Sequence, residues 1–248
     1  MAGAPDIRVS DDPAAAAAEL VAAQVRPGAH VALTGGSTPG AAYEKLAATA
    51  GLDWAGTTLW WSDERCVPPD DERSNYLLAR HTLLDRLTES IPTEERILGE
   101  LGPDGGADDY AERLGAAYGG ETIALDLVLL GLGPDGHCAS LFPGRPEVGV
   151  TDIAVVGVPE AGLEPFVPRV SLTLPTINGG RSVVFLVTGA EKADAVARAF
   201  GGTPDPATPA SLVAPASGPP IVLLDHAAAA RLPGQAPPAA PPPPGAPA

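Results

Sequence analysis

The chain of 248 residues is long enough to bury a sizeable core, and we expect it to form one large α/β domain. Its formal net charge of −16 at pH 7 argues against nucleic-acid binding, which depends on clustered Lys and Arg. No apolar run approaches the roughly 18 residues of a membrane span, and the N-terminus lacks the basic region of a signal peptide. We therefore expect a cytoplasmic protein with neither nucleic acid nor membrane as a partner.

Apolar runs typical of strands alternate with helical patterns along most of the chain. Strands are predicted at 31–36, 57–64, 124–131, 153–159, 182–189 and 220–225, and helices at 39–50, 75–87 and 190–200. This alternation predicts a doubly wound α/β fold, with a mainly parallel sheet covered by helices on both faces. In such a fold, ligands bind in the loops that leave the carboxyl ends of the strands.

The end of the chain differs in composition from the rest. Residues 233–248, PGQAPPAAPPPPGAPA, are rich in proline and alanine and show no apolar periodicity. We expect this tail to be disordered and extended. The predicted single domain therefore covers residues 1–232.

The loop TGGSTPG, residues 34–40, lies between a predicted strand and a predicted helix. Gly35 and Gly36 let the backbone approach a ligand, while Ser37 and Thr38 add hydroxyls beside the free N–H groups of a helix start. The loop matches neither the P-loop nor the dinucleotide fingerprint. A phosphate or carboxylate cradle and a plain strand-to-helix turn with a Ser or Thr cap both remain open.

The stretch GLGPDGHCASLFPG, residues 131–144, follows the apolar run ALDLVLL and places His137 beyond a buried strand. A neutral imidazole there is suited to taking a proton from water near neutral pH. Asp135 either orients His137 or closes the turn through its own backbone. Two alternatives remain open, an ordinary hydrogen-bonded loop histidine and a nucleophile formed by Cys138 with His137.

Four basic residues are candidates for holding an anionic substrate. Arg65 and Arg73 lie in a charged loop after a strand, where a solvated loop is the ordinary alternative. Arg169 begins an apolar segment. Lys192 lies in the first turn of a predicted helix, where its charge opposes the helix dipole unless it also meets an anion.

Five blocks together carry a family resemblance. They are VALTGGSTPGAAYEKL, WSDERCVPPDDERSNY, LVLLGLGPDGHCASLFPG, PRVSLTLPTIN and FLVTGAEKADAV. In order and approximate spacing these blocks resemble the motifs of the 6-phosphogluconolactonase family, within the glucosamine/galactosamine-6-phosphate isomerase superfamily. The likeness extends from about residue 10 to residue 231.

The resemblance implies a NagB/RpiA-like fold and hydrolysis of 6-phospho-D-glucono-1,5-lactone to 6-phospho-D-gluconate in the oxidative pentose phosphate pathway. It implies no metal and no cofactor. By its motifs, His137 is the expected general base and Arg65 the active-site arginine, with Asp135 beside the histidine. Ser37, Arg169 and Lys192 match the family's phosphate-binding positions, together with the loop glycines. Arg73 matches no motif of the family, and where threonine is commoner this chain has Cys138.

Two other functions are compatible with parts of this pattern. A glucosamine-6-phosphate deaminase or isomerase shares the phosphate loop and the DGH element, but its histidine is followed by a stretch with a catalytic glutamate. Here ASLFPG follows, with no acid until Glu147. A non-catalytic sugar-phosphate-binding protein is the second alternative, and retention of His137 and Arg65 argues against it. We expect a monomer whose partner is a small sugar-phosphate lactone.

Overall fold

The computed structural model describes residues 3–233, so apart from Pro233 the predicted tail lies outside the described residues. The strands are β1 (Asp6–Val9), β2 (His30–Leu33), β3 (Thr58–Trp61), β4 (Asp63–Arg65), β5 (Thr93–Glu94), β6 (Leu127–Leu130), β7 (Val155–Val158), β8 (Arg169–Leu172), β9 (Val183–Val187) and β10 (Ile221–Leu224). The α-helices are α1 (Pro13–Ala22), α2 (Ser37–Ala47), α3 (Asn75–Thr82), α4 (Gly102–Ala117), α5 (Leu174–Asn178), α6 (Ala193–Phe200) and α7 (His226–Ala229).

Seven strands form one parallel sheet in the order β1-β10-β9-β6-β2-β3-β5. The central strands β6 and β9 are buried along their whole length, as their continuous apolar sequences indicate for strands covered on both faces. The predicted doubly wound α/β fold with a mainly parallel sheet is confirmed. One hydrophobic core spans the described residues. Within residues 3–233, none of the helices combines the length and the apolar character of a membrane-spanning segment.

The single strand predicted at 57–64 is wrong, because the chain forms two strands there. Ser62 separates β3, which belongs to the large sheet, from β4, which pairs antiparallel with β8 in a second sheet of order β4-β8-β7. The pairing aligns Asp63 with Ser171 and Arg65 with Arg169. The predicted strand at 153–159 also belongs to this second sheet, as β7.

The predicted helices begin and end at positions set by their caps. The helix at 39–50 begins earlier, at Ser37, after Gly36 adopts a positive φ of 112°. The helix at 75–87 ends at Thr82 and is followed by a separate 3-10 turn. Its start is fixed by Ser74, whose Oγ accepts a hydrogen bond from the Leu77 N–H at 3.2 Å.

The direction of chain winding reverses between β2 and β6. From β2 the chain continues outward to β3, whereas from β6 it continues in the opposite direction to β9. The loops that follow β2 and β6 therefore diverge and leave a crevice between them at the carboxyl edge of the sheet. These are the two glycine-rich loops at 34–40 and 131–144.

Candidate active site

A cavity of about 210 Å³ occupies this crevice. Its polar wall combines side chains from the loop after β6, from the second sheet, from the start of α3 and from the turn before α6. They are Asp63, Arg65, Asn75, His137, Arg169 and Lys192. The glycines Gly35, Gly36, Gly131 and Gly133 supply backbone to the same wall. The cavity lies where the topology predicts a ligand site.

His137 is held by the acid two residues before it. Its Nδ1 lies 2.6 Å from Asp135 Oδ1, and the same carboxylate oxygen accepts the His137 backbone N–H at 3.2 Å. Because a carboxylate only accepts, the neutral imidazole carries its hydrogen on Nδ1 and its lone pair on Nε2. Within residues 3–233, Nε2 has no hydrogen-bond partner. Asp135 thus does both things considered from the sequence, orienting the ring and closing the turn.

The charge state of Asp135 suits this role. Burial acts to raise the pKa of its carboxyl group, but the hydrogen bond and the charge interaction with His137 outweigh burial and lower it. The carboxylate is therefore ionised throughout the neutral pH range. An ionised acceptor on Nδ1 stabilises the imidazolium that forms when Nε2 takes a proton.

Two glycines make this arrangement sterically possible. A Cβ on Gly133 would lie 2.0 Å from His137 Nδ1 and 2.5 Å from Asp135 Oδ1. Gly136 has a positive φ of 98° and packs against Thr208, whose Cγ2 would lie 2.8 Å from a Cβ there. The ring of His137 also packs on Phe142, with 4.6 Å between the ring centroids. The loop is therefore built around the histidine and its partner.

Two arginines lie side by side on the cavity wall, in register on β4 and β8. Arg65 Nη1 donates to the Arg73 carbonyl at 2.6 Å, whereas Arg73 itself pairs with Asp71. Burial lowers the pKa of Arg169; the charge of Asp63 opposes this effect, and the charge of Arg65 adds to it. Among the described residues, neither Arg65 nor Arg169 forms a salt bridge. Because like charges on directly opposed residues repel, this pairing favours an anion between them.

Arg169 also holds a neighbouring loop segment in place. Its Nε donates to the Val167 carbonyl at 3.2 Å, and its Nη2 donates to the carbonyls of Pro165 at 2.9 Å and Leu163 at 3.4 Å. The guanidinium lies 5.9 Å from the centroid of the Phe142 ring, which packs on His137. Nη1 is the edge of Arg169 without a protein partner in the described part of the chain.

A second cavity of about 270 Å³ adjoins the first. It is lined by Ser37 and Thr38 at the start of α2 and by the turn around Gly189, and it shares Gly35 and Lys192 with the first cavity. The Thr38 hydroxyl is hydrogen-bonded to that of Thr188 at 2.7 Å. The N–H groups of the first helical turn, with their partial positive charge, thus line a pocket of their own.

Lys192 lines both cavities. Its Nζ donates to the Leu132 carbonyl at 2.9 Å, which fixes the ammonium between the two glycine-rich loops. Burial lowers the pKa of Lys192, an effect that the charges of Glu191 and Asp135 oppose. The ammonium therefore lies within reach of both the helix start and the histidine loop.

Sequence reasoning missed a buried polar cluster that includes the cavity-lining residues Asp63 and Asn75. Asp63 Oδ2 accepts the Ser140 hydroxyl at 2.6 Å, and Asp63 Oδ1 accepts Asn75 Nδ2 at 3.2 Å. Ser140 also uses its backbone N–H, which donates to Ser171 Oγ at 3.1 Å. The sequence did contain one signal for Asp63, which is its position just after the carboxyl end of an apolar strand, where ligand sites form in this type of fold.

Cys138 is not positioned as a nucleophile. Its side chain is 1% exposed and does not line the cavity. Burial raises the pKa of its thiol to about 12, so the reactive thiolate does not form near neutral pH. The alternative of a Cys138–His137 pair is therefore rejected. Within residues 3–233, no group of three or more His, Cys, Asp and Glu side chains is arranged to hold a metal ion.

Comparison with known proteins places this geometry in a family. The family described as glucosamine-6-phosphate isomerases/6-phosphogluconolactonase matches residues 8–222. The chain belongs to this family. It is 37% identical over 245 residues to the 6-phosphogluconolactonase of Streptomyces coelicolor, covering 88% of this chain and 90% of that protein. It is 41% identical over 223 residues to the 6-phosphogluconolactonase of Mycobacterium leprae, with coverages of 86% and 89%.

A solved structure of the family superposes on most of the chain. The 6-phosphogluconolactonase from Trypanosoma brucei matches with a TM-score of 0.78 and 29% identity, covering 91% of this chain and 97% of the other. The fold expected from the resemblance is therefore confirmed. The residues assigned to the site remain predictions, and the structure distributes them over two adjoining cavities.

The site residues predicted from the family resemblance are divided between the two cavities. His137, Arg65 and Arg169 line the first cavity, Ser37 and Thr38 line the second, and Gly35, Gly36 and Lys192 line both. Asp135 lies outside both linings and acts through His137. Arg169 is thus separated from Ser37, although the resemblance groups both as phosphate-binding.

Proposed function

We propose that this protein hydrolyses 6-phospho-D-glucono-1,5-lactone to 6-phospho-D-gluconate in the pentose phosphate pathway, with His137 as the general base. The observation that carries the proposal is the imidazole whose Nδ1 is held by Asp135 at 2.6 Å while the ring lines a cavity containing three cationic side chains. Family membership and the named relatives support the same reaction.

The chemistry requires positioning and one base. A δ-lactone is an activated ester, so water becomes an adequate nucleophile once it is held over C1 and deprotonated. His137 Nε2 takes a proton from that water as its oxygen bonds to C1. The tetrahedral intermediate then collapses, the bond from C1 to the ring oxygen breaks, and the imidazolium returns the proton to that oxygen. The product is an open-chain acid.

The negative charge that develops on the carbonyl oxygen needs donors in the same cavity. Arg65 lines that cavity with no carboxylate partner in the described residues, which suits it to this oxyanion. The free Nη1 edge of Arg169 presents a second cationic donor. We retain Arg169 as an anion-binding residue and propose that it contacts the lactone end of the substrate, since it lies beside Phe142, which packs on His137.

The phosphate fits the second cavity. There Ser37, the N–H groups at the start of α2 and the ammonium of Lys192 provide an anion site of the kind formed at helix N-termini. Because Lys192 also lines the first cavity, a substrate with its phosphate on Lys192 extends its ring toward His137. Binding energy from this remote group fixes C1 against the water.

The deaminase alternative would need a catalytic glutamate in the stretch that follows the histidine. Glu147, the first acid after the histidine motif, is buried and lies outside both cavity linings. No observation favours a second function. We therefore keep hydrolysis as the single proposal.

The direct test compares wild type with His137→Ala. The lactone is generated in situ from glucose 6-phosphate by glucose-6-phosphate dehydrogenase, and its disappearance is followed after subtraction of spontaneous hydrolysis. We expect kcat to fall by about 10²- to 10⁴-fold. His226→Ala is the matched control, since His226 also pairs with an acid, Asp11, but does so on the surface. Equal rates for wild type and His137→Ala would reject the mechanism, and ammonia release from glucosamine 6-phosphate would replace it with the deaminase.

We also propose that the protein acts as a cytoplasmic monomer. Light scattering during size-exclusion chromatography tests this, and a dimer mass at working concentration would contradict it.

A further inference from the structure

The wall between the two cavities contains an unusual contact between a glycine and an amide side chain. Gly35 lines both cavities, and Asn75, the first residue of α3, lines only the first. A Cβ on Gly35 would lie 1.8 Å from Asn75 Oδ1 and 2.4 Å from Asn75 Cγ. The amide of Asn75 therefore occupies the volume that any other residue at position 35 would need.

The hydrogen bonds of Asn75 fix the orientation of that amide. Its Nδ2 donates to the Asp63 carbonyl at 2.8 Å and to Asp63 Oδ1 at 3.2 Å. Both partners only accept, so the nitrogen must face Asp63 and the oxygen must face Gly35. The backbone N–H of Asn75 donates to Glu64 Oε1 at 2.8 Å, which anchors the residue to β4 from the other side.

The oxygen of this amide is buried and unsatisfied. Asn75 is 1% exposed, and its Oδ1 has no hydrogen-bond partner among the described residues. A buried acceptor without a donor is destabilising, and native proteins retain few such groups. Here the Asn75 Oδ1 lies directly against Gly35, so its role is a close packing contact with the backbone of the loop at 34–40.

That backbone leads straight into the helix start. Gly36 follows with a positive φ of 112°, and its carbonyl accepts the Gly40 N–H at 3.1 Å as α2 begins. Moving Gly35 would therefore move the N–H groups beside Ser37 in the second cavity. His137 itself is held by a different set of contacts, through Asp135 and the packing of Gly136 on Thr208. In the described part of the chain, the hydrogen-bonded link from Asn75 to the histidine loop runs only through Asp63, which also accepts the Ser140 hydroxyl.

We infer that Asn75 is a positioning residue. Its side chain packs against Gly35, and this contact fixes the position of the phosphate relative to His137. It makes the enzyme selective for a phosphorylated lactone over the same lactone without phosphate. The inference rests on the proposed function for the identity of the substrate. It predicts that the effects of changing Asn75 appear at the phosphate end and not in the proton transfer.

The first test is Asn75→Ala with two substrates, the 6-phosphorylated lactone and glucono-1,5-lactone. We expect KM for the phosphorylated lactone to rise about tenfold, with a smaller change in kcat/KM for the unphosphorylated lactone. Binding of 6-phosphogluconate, measured by calorimetry, should weaken by the same factor. Equal losses with both lactones would show a general structural role and overturn the inference, as would an unchanged KM.

The second test is a double-mutant cycle with Gly35→Ala. Alone, this change forces the new Cβ against Asn75 and should weaken 6-phosphogluconate binding by about 10- to 100-fold. Adding Asn75→Ala removes the amide atoms in the way, so the double variant should bind more tightly than Gly35→Ala. If the double variant is no better, the glycine serves the ligand directly and the inference is wrong.

Gly40→Ala is the matched control. It also adds a Cβ between α2 and α3, 3.2 Å from the flexible end of Leu78, but outside both cavities. Its binding of 6-phosphogluconate should equal that of wild type. Circular dichroism establishes folding, and if Gly35→Ala does not fold, Asn75→Ala decides alone through its substrate ratio. Should wild type hydrolyse neither lactone, the proposed function fails, while the binding cycle still tests Asn75.

Discussion

The contact between Asp135 and His137 allows a quantitative prediction. Asp135→Ala removes the acceptor that lies 2.6 Å from Nδ1, and Asp135→Asn keeps an acceptor of the same shape without its charge. Neither change alters the lining of the two cavities, because Asp135 belongs to neither. Both variants should therefore lower kcat and leave KM nearly unchanged.

The expected size follows from the charge on the acceptor. A hydrogen bond to a charged group contributes about 1.5–3 kcal/mol, against about 0.5–1.5 kcal/mol for a neutral one. The bond strengthens as the imidazole gains a proton, so the loss appears in the transition state. At about 1.4 kcal/mol per tenfold change in rate, Asp135→Ala should lower kcat by about 10- to 150-fold. The neutral bond that Asp135→Asn retains should limit its loss to about tenfold.

The assay follows proton release by the acid product, with spontaneous hydrolysis subtracted. Asp53→Ala is the matched control, because Asp53 also accepts the N–H of the residue two positions later, at 3.0 Å, in an exposed turn without a histidine. Its kcat should equal that of wild type. The reasoning would be refuted by full kcat in Asp135→Ala, or by a loss confined to KM.

Three further predictions concern Lys192, Gly133 and Cys138. Lys192→Ala should raise KM by about 10- to 100-fold. Burial lowers the pKa of Lys192, and its charge is present below that pKa and lost above it. Binding of 6-phosphogluconate should therefore weaken at a pH below the usual lysine pKa of about 10.4. Calorimetry on wild type and Lys192→Arg checks this, and the same pH profile in both proteins would contradict it. Gly133→Ala places a Cβ 2.0 Å from His137 Nδ1 and should lower kcat without unfolding the protein. Gly149→Ala, whose Cβ would have nothing within 4 Å, should leave kcat unchanged. Activity and thermal denaturation of the two variants are compared. Cys138→Ala should keep wild-type kcat, and inactivation by that change would restore a role for the thiol.

Part of the fold was predictable because its signals are local. The strands β6 and β9 are short, continuous apolar runs bounded by polar residues and glycines, and such runs are typical of strands buried on both faces. The glycine-rich loops after β2 and β6 were predictable as ligand loops for the same reason. Their positions at the carboxyl ends of strands follow from the alternation of elements along the chain.

The second sheet was not predictable from local signals. The run from Thr57 to Glu64 contains neither glycine nor proline, so nothing in it indicates that the strand ends at Ser62. The change of sheet is decided by pairing with β8, about a hundred residues later in the chain. The same pairing brings Arg65 opposite Arg169, and no spacing in the sequence expresses that juxtaposition.

Local patterns in the sequence predicted the class of fold, the family and a candidate histidine with an acid two residues before it. These depend on periodicity, on motifs and on residues two positions apart. The tertiary structure was needed to show that Ser37 and Thr38 line a different cavity from the arginines, that Lys192 lines both cavities, and that Asn75 fills the space beside Gly35. Those facts depend on contacts between distant segments, and their distances are set by how strands pair and helices pack, which a linear pattern does not encode.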